Sequence, residues 1–339
     1  MPKFPTPRGE MSEHLLAALR RAPHDLAPLE RPRVADPLTD DDLQLALYAC
    51  YELHYRGLDG VDERWEWAPS LLAFRAGLEA EFEAALRRAV PWPDDSLEPA
   101  PEEMDMALRA IADADDGPSL SRHLERDGAL EHFLEFAVHR SAYQLKEADP
   151  HSWAVPRLGG PPKAALVEIQ ADEYGGGRPE RVHAELFARA MRALGLDDTY
   201  GAYIDLIPGV TLATVNLMSL FGLHRRWRGA IVGHLALFEM TSSVPNRRYA
   251  NGLRRLEQGE DATVFFDEHV EADAVHENIA AVDMAGGLVG QEPALWAHVL
   301  WGAAALVHVE ARWATHLLGS WEAGHSSLRE PLAAPEPVA

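Results

Sequence analysis

Leu71-Leu72-Ala73-Phe74-Arg75-Ala76-Gly77-Leu78-Glu79-Ala80-Glu81-Phe82-Glu83-Ala84-Ala85-Leu86-Arg87-Arg88-Ala89-Val90 reads as one helix from end to end. Leu72, Phe74, Leu78, Phe82 and Leu86 return to one face at helical spacing, and nothing in the stretch alternates with the period of two that a strand needs. Pro91 and Pro93 end it, because a proline ring removes a backbone donor and fixes φ. The same grammar holds on both sides. Upstream, Thr39 and the acidic run Asp40 to Asp42 form an N-terminal cap ahead of Leu43, Leu45, Tyr48 and Leu53, and a short helix is predicted over Glu10 to Arg21 among many prolines. A further helix is predicted over Glu102 to Ala114. Downstream, helices are predicted over Ser119 to Glu147, Lys163 to Tyr174, Pro179 to Leu194, Thr199 to Phe221, Trp227 to Ser243, Asn246 to Gln258, Thr263 to Val275 continuing toward Met284, and Glu292 to Leu318. Strand-like alternation is nearly absent, so the expected fold is an all-α multi-helix bundle.

Asp115-Asp116-Gly117-Pro118 is a charged break where the chain can leave one packed unit for another. It divides an N-terminal helical stretch, residues 1 to 118, from a main helical domain, 119 to 330. A Pro/Ala tail at 331 to 339 is expected to be disordered. The 339 residues carry a formal charge of −23, which repels phosphate at long range and argues against nucleic acid and anionic membrane as partners. Ala294 to Val309 is the most apolar run, but His298 and His308 interrupt it, so it is read as a buried helix. The first ten residues lack the apolar core of a secretory signal, and a cytoplasmic location is the expectation. Cys50 is the sole cysteine, which excludes an intramolecular disulfide and a thiolate-rich cluster; any metal must be held by His, Asp and Glu.

Phe265 to His276 offers such a set. His269, Asp273 and His276 stand at i, i+4 and i+7 and share one helix face across two turns, a donor set that suits Fe(II), Mn(II) or Zn(II). The competing reading is a solvated acidic face, since Glu268, Glu271 and Glu277 are close by. Glu239 is an isolated acid in the apolar run Ala236-Leu237-Phe238-Glu239-Met240 and needs a cation, a donor or a proton if buried. Glu147 closes a predicted helix, Glu173 precedes the run Gly175 to Gly177, and Glu180 and His183 follow it. The doubled Glu-x-x-His of ferritin-like sites is missing, because Glu180-Arg181-Val182-His183 supplies it only once. His151 and His234 have no evident partner, His234 and Phe238 are close enough in sequence to flank Glu239, and Arg178, Arg181, Arg247 and Arg248 are read as surface arginines.

The stretches Leu145 to His151 and Asp172 to Gly177, Glu239, and the final His269-x3-Asp273-x2-His276 resemble, in order, the haem-oxygenase-like di-iron oxidases and oxygenases. The resemblance covers roughly 120 to 325. It implies a haem-oxygenase-like helical bundle with the metal ligands Glu147, Glu173, His183, Glu239, His269, Asp273 and His276. It implies two iron ions, O2 as co-substrate and an external electron donor, since the chain carries no flavin or iron–sulfur signature. One iron would take His183 with Glu147 and Glu173, the other His269 and His276, with Glu239 and Asp273 bridging or completing the shells. An acid at Glu173 resembles the branch that oxygenates amine nitrogen, so the expected substrate is a small amine or amino acid; Glu180 competes for that position. Desaturation, decarboxylation or fragmentation of an amino acid or fatty acid is the alternative reaction, and a non-catalytic metal- or ligand-binding bundle the alternative class. Residues 1 to 118 resemble an extension that helps some members dimerise, so a homodimer is expected.

Overall fold

The structure, a computed structural model, describes residues 1–30 and 32–332, without the side chains of Leu97 and residues 271–275. The tail expected to be disordered lies outside the described residues from 333 onward. Among the described residues there is no strand, and the fold is all-α. The helices are α1 (Glu10–Leu19), α2 (Asp41–Glu52), α3 (Pro69–Ala89), α4 (Met104–Asp113), α5 (Leu120–Arg126), α6 (Leu130–Gln144), α7 (Asp149–Ser152), α8 (Gly160–Glu173), α9 (His183–Ala193), α10 (Gly209–Leu223), α11 (Arg228–Arg255), α12 (Glu260–Asn278), α13 (Gly287–Gln291) and α14 (Trp296–Glu322). A π-helical segment, Ile279–Gly286, joins α12 to α13.

α11 is the central strut, packed along α14 on one side and α12 on the other, with α9 against α12 and α2 against α10. Two glycines let α11 and α14 cross closely. A Cβ added at Gly233 would stand 1.8 Å from the Val299 carbonyl oxygen, and one at Gly302 would stand 2.1 Å from that of Ala230. Only backbones without side chains can approach to that depth. α14 is long and apolar enough to cross a membrane by composition, yet Val299, Trp301, Ala303 and Ala305 on it are fully buried in the protein core. Leu43, Leu47 and Tyr51 of α2 belong to one continuous apolar core with Leu212 and Phe221 of α10 and Trp301 of α14. A second cluster is built on Phe133, Phe136, Phe187, Phe265, Phe266 and Trp313.

Several predicted boundaries shift. The helix predicted over Ser119 to Glu147 is split into α5 and α6, because at Gly128 the chain folds back: its N–H bonds the His123 carbonyl at 2.9 Å. The two helices predicted on either side of Pro245 are one, α11. Pro245 forfeits one ladder bond, but α12 packs against α11 on both sides of it, at Glu239 with His276 and at Tyr249 with Phe266, which holds the helix through the break. The helix predicted from Thr199 begins only at Gly209, and that from Pro179 only at His183.

Candidate metal centre

Each proposed ligand is delivered by a local feature of the chain. α6 ends at Gln144, and Leu145 to Ala148 form a tight turn that closes with Ala148 in the left-handed region, φ 72°. Glu147 therefore sits in that turn and not, as predicted, on a helix. Glu173 is the last residue of α8. Gly175, Gly176 and Gly177 follow with φ of 67°, 60° and 79°, conformations that glycine alone adopts without strain, and they reverse the chain. At Gly175 a Cβ would meet the Arg181 backbone at 2.6 Å. The reversal returns His183, the first residue of α9, to Glu173. Glu239 lies inside α11, and His269 and His276 lie on α12. Asp273 shares that helix, but its side chain lies outside the described residues.

The six described candidates are all buried, at 1–7% exposure. They form two groups. Glu147, Glu173, His183 and His269 bring donor atoms within 4.8 Å of one another, and Glu173, Glu239 and His276 do the same. Glu173 belongs to both. In the first group His183 Nδ1 is 3.0 Å from Glu173 Oε2, His269 Nε2 is 3.7 Å from Glu147 Oε1, and the two imidazole centroids are 4.4 Å apart. In the second, His276 Nδ1 is 3.2 Å from Glu239 Oε2. The pairing expected of His269 with His276 is thus replaced by His269 with His183. His269 and His276 are seven residues apart, about 10 Å along a helix axis, and among the described residues no group of donor atoms contains both. Glu173, rather than Glu239, is the shared carboxylate. Glu180 is exposed and enters neither group.

Buried Glu147 Oε2, Glu173 Oε2 and His183 Nδ1 have no hydrogen-bond partner of good geometry. Glu173 Oε2 and His183 Nδ1 have only each other, at 3.0 Å, and Glu147 Oε2 has no partner; leaving buried groups so poorly matched is costly, and atoms converging in this way fit a cation. The imidazole of His269 is oriented to serve as a ligand, since its Nδ1–H donates to the Phe265 carbonyl at 2.8 Å and leaves the Nε2 lone pair facing the carboxylates. The charges are strongly coupled. Burial pushes the Glu147 carboxyl above its ordinary value, with the nearby histidines only partly opposing it. For Glu173 burial acts upward too, but His183 beside it prevails and brings the carboxyl down to about 2. Burial lowers His276, while its hydrogen bond to Glu239 outweighs that and holds the imidazole up at about 9. A proton on His276 thus occupies the role that divalent metal would take over.

Four further residues at this site, Asp172, His151, Arg140 and Glu310, were not picked out as functional from the sequence, while His234 was placed there only as a neighbour of Glu239. Asp172, exposed, accepts from His276 Nε2 at 3.0 Å. Neighbouring positions on a helix point about 100° apart, so nothing in the spacing joins it to Glu173's site. His151 and His234, predicted to be without partners, hydrogen-bond each other (Nε2 to Nδ1, 3.1 Å), and burial lowers both, His151 to about 4. His234 also stacks on Phe238, which lines the site beside Glu239. Arg140 and Glu310 form a bidentate pair, 3.0 and 2.7 Å, with the guanidinium 3.9 Å above the Trp313 ring. Arg140, Tyr143 and Gln144 precede Glu147 by seven, four and three residues, a helical-face spacing that could have exposed this pair.

The metal groups open into a cavity of about 370 Å³ that Glu147, Glu173, Glu239 and His269 share with Tyr143 and Phe238. Arg140 and Glu310 line the same cavity. Its volume suits a small molecule.

Residues 134–311, just over half of the chain, match the family of iron-containing redox enzymes, and the chain belongs to that haem-oxygenase-like family. The matched interval contains every candidate ligand from Glu147 to His276. The protein is accordingly an oxidoreductase, and its buried carboxylate and histidine cluster is compatible with a di-iron site. No curated protein matches the sequence.

Proposed function

We propose that the chain is an O2-dependent non-haem di-iron oxygenase that N-oxygenates a small amine or amino acid. The observation that supports the di-iron part of this reading is Glu173, a buried carboxylate within reach of both donor groups, which would serve two ions. When bound, iron would supply the activation of O2, using electrons from an external donor, with one oxygen atom passing to nitrogen and the other leaving as water. Glu147, Glu173, His183 and His269 would hold one ion, and Glu173, Glu239 and His276 the other.

The chain's own residues do the rest. Apolar side chains such as Phe187, Phe238, Phe265 and Leu306 keep water from the reacting end of the cavity. Tyr143, whose phenol burial and the neighbouring carboxylates push well above its ordinary range, stays protonated at the cavity wall. Arg140 and Glu310, bound to each other at 3.0 and 2.7 Å, place an ion pair on the cavity wall. That pair suits a zwitterionic amino acid better than a fatty acid, which would leave a charge desolvated against its alkyl chain.

Anaerobic reconstitution with Fe(II) followed by rapid mixing with O2 tests the metal reading, with uptake of about two irons per chain and a transient visible absorbance expected. An amino-acid panel then tests the chemistry: products heavier by one or two oxygen atoms are expected. Release of ammonia or a carbon fragment with no oxygen gained would assign the enzyme to fragmentation. Iron uptake with no O2-dependent change in any compound would mark a binding protein.

A further inference from the structure

We infer that Glu52 and Arg56, at the end of α2 and just beyond it, act with Lys146 as positioning residues for Glu147, so that the N-terminal stretch is part of the metal centre's working structure. This rests on the reading of Glu147 as a ligand. Glu52 and Arg56 lie far outside the residues that match the family, 134–311.

The turn Leu145 to Ala148 is gripped from the α2 side at successive residues. Arg56 Nη2 donates to the Leu145 carbonyl at 3.0 Å. Lys146 Nζ donates to Glu52 Oε2 at 2.9 Å, and both side chains are sealed, at 1% and 0% exposure. Tyr200 donates its O–H to the same Glu52 oxygen at 2.6 Å and meets Tyr48 at 3.2 Å. The ammonium lies 4.2 Å from the Tyr55 ring centroid and 5.2 Å from that of Tyr48, so the cation has aromatic faces as well as a carboxylate. From the opposite side Gln170 of α8 donates to the Ala148 carbonyl at 3.3 Å.

Lys146 enters the tyrosine cage while Glu147, the next residue, enters the metal cavity. In so short a turn the two directions are not independent. Anchoring the ammonium fixes the peptide between them and thereby the arc over which the Glu147 carboxylate can swing. Ala148 at φ 72° shows that the turn is held against its local preference, since that conformation is strained for a residue with a Cβ. A lysine buried to this degree is also a poor means of stability alone, because an apolar pair of the same volume does as well or better. What the ion pair adds is direction.

The test is anaerobic Fe(II) titration of the full chain, with metal content and metal-free melting temperature read for each variant. Glu147→Ala sets the pattern to be matched: weakened binding of one iron and retention of the other. Glu52→Gln is expected to reproduce it, with that iron bound about ten- to hundredfold more weakly, the usual loss when a ligand's support is removed. Arg56→Met, at an exposed residue, removes the bond to Leu145 and the guanidinium's 4.7 Å contact with the Tyr200 ring, leaves melting near the parent's and shifts the same iron in the same direction. In Glu52→Leu/Lys146→Met no charge is left unpaired, so melting recovers toward the parent while iron affinity stays low. A merely structural pair would let affinity recover with melting, and that result, or parental affinity in folded Glu52→Gln and Arg56→Met, overturns the positioning role. A parent that takes up no iron overturns the metal centre itself and this role with it.

Discussion

Replacing Glu173 separates a shared carboxylate from one that serves a single ion. Glu147→Ala and Glu239→Ala each strip one donor from one group, whereas Glu173→Ala strips one from both. A metal at a hundred times its dissociation constant stabilises the fold by about 2.7 kcal/mol, so two such metals contribute about 5 kcal/mol. At about 2 °C per kcal/mol for a chain of this size, saturating Fe(II) should raise the melting temperature of the parent by about 10 °C. Loss of one ligand from a group of three or four weakens its ion by at least about a hundredfold, which cancels that ion's share at the same free concentration. The expected gains are then about 5 °C for Glu147→Ala and Glu239→Ala, and near zero for Glu173→Ala. Anaerobic scanning with metal analysis of the same samples reads both quantities. A Glu173→Ala protein that gains as much as Glu239→Ala, or that keeps one iron, refutes the shared role.

The pH dependence has a definite sign in the metal-free protein. His276 is held at about 9, above its ordinary 6.5, so its contribution to stability is complete below 6.5 and is lost as pH rises through about 9. Glu173, brought down to about 2 from 4.5, contributes above 4.5 and loses that contribution as pH falls toward 2. Melting of the metal-free chain should therefore decline on the alkaline side, while Fe(II) affinity rises between about pH 6 and about pH 8, because metal must displace the His276 proton; affinity that does not change with pH over that range contradicts the assignment. Gly233→Ala places a methyl into the Val299 carbonyl and should destabilise the fold by at least about 2 kcal/mol in denaturant unfolding. Arg140→Met and Glu310→Gln should each raise KM about tenfold for the amino acid the panel identifies, with iron content unchanged; a loss of iron would place the pair in metal binding instead.

Helix content was legible because periodicity and proline punctuation act locally: α1, α3 and α8 fall within a few residues of their predicted limits. α11 was not, since whether Pro245 ends a helix depends on what packs on either side of it. The ligands show the same division. Isolated acids and the histidine spacing could be read from the chain, but the partition into groups depends on how α8, α9, α11 and α12 face one another. His269 and His276 are near in sequence and two turns apart in space, while His183 and His269 are remote in sequence and in ring contact. Arg140 escaped notice because a lone arginine ordinarily reads as surface, and its partner Glu310 lies 170 residues away.

The π-helical segment Ile279–Gly286 fixes more than the link between two helices. Such a segment carries a residue beyond what a regular α ladder needs. Deleting one residue there would restore the regular ladder, and by the measure of local helix energetics the chain would gain. Everything before the deletion, including the face that carries His269 and His276, would turn by about 100° relative to α13 and α14. The surplus residue therefore sets the phase of α12, and a shorter, locally more comfortable helix would aim both imidazoles away from the acids.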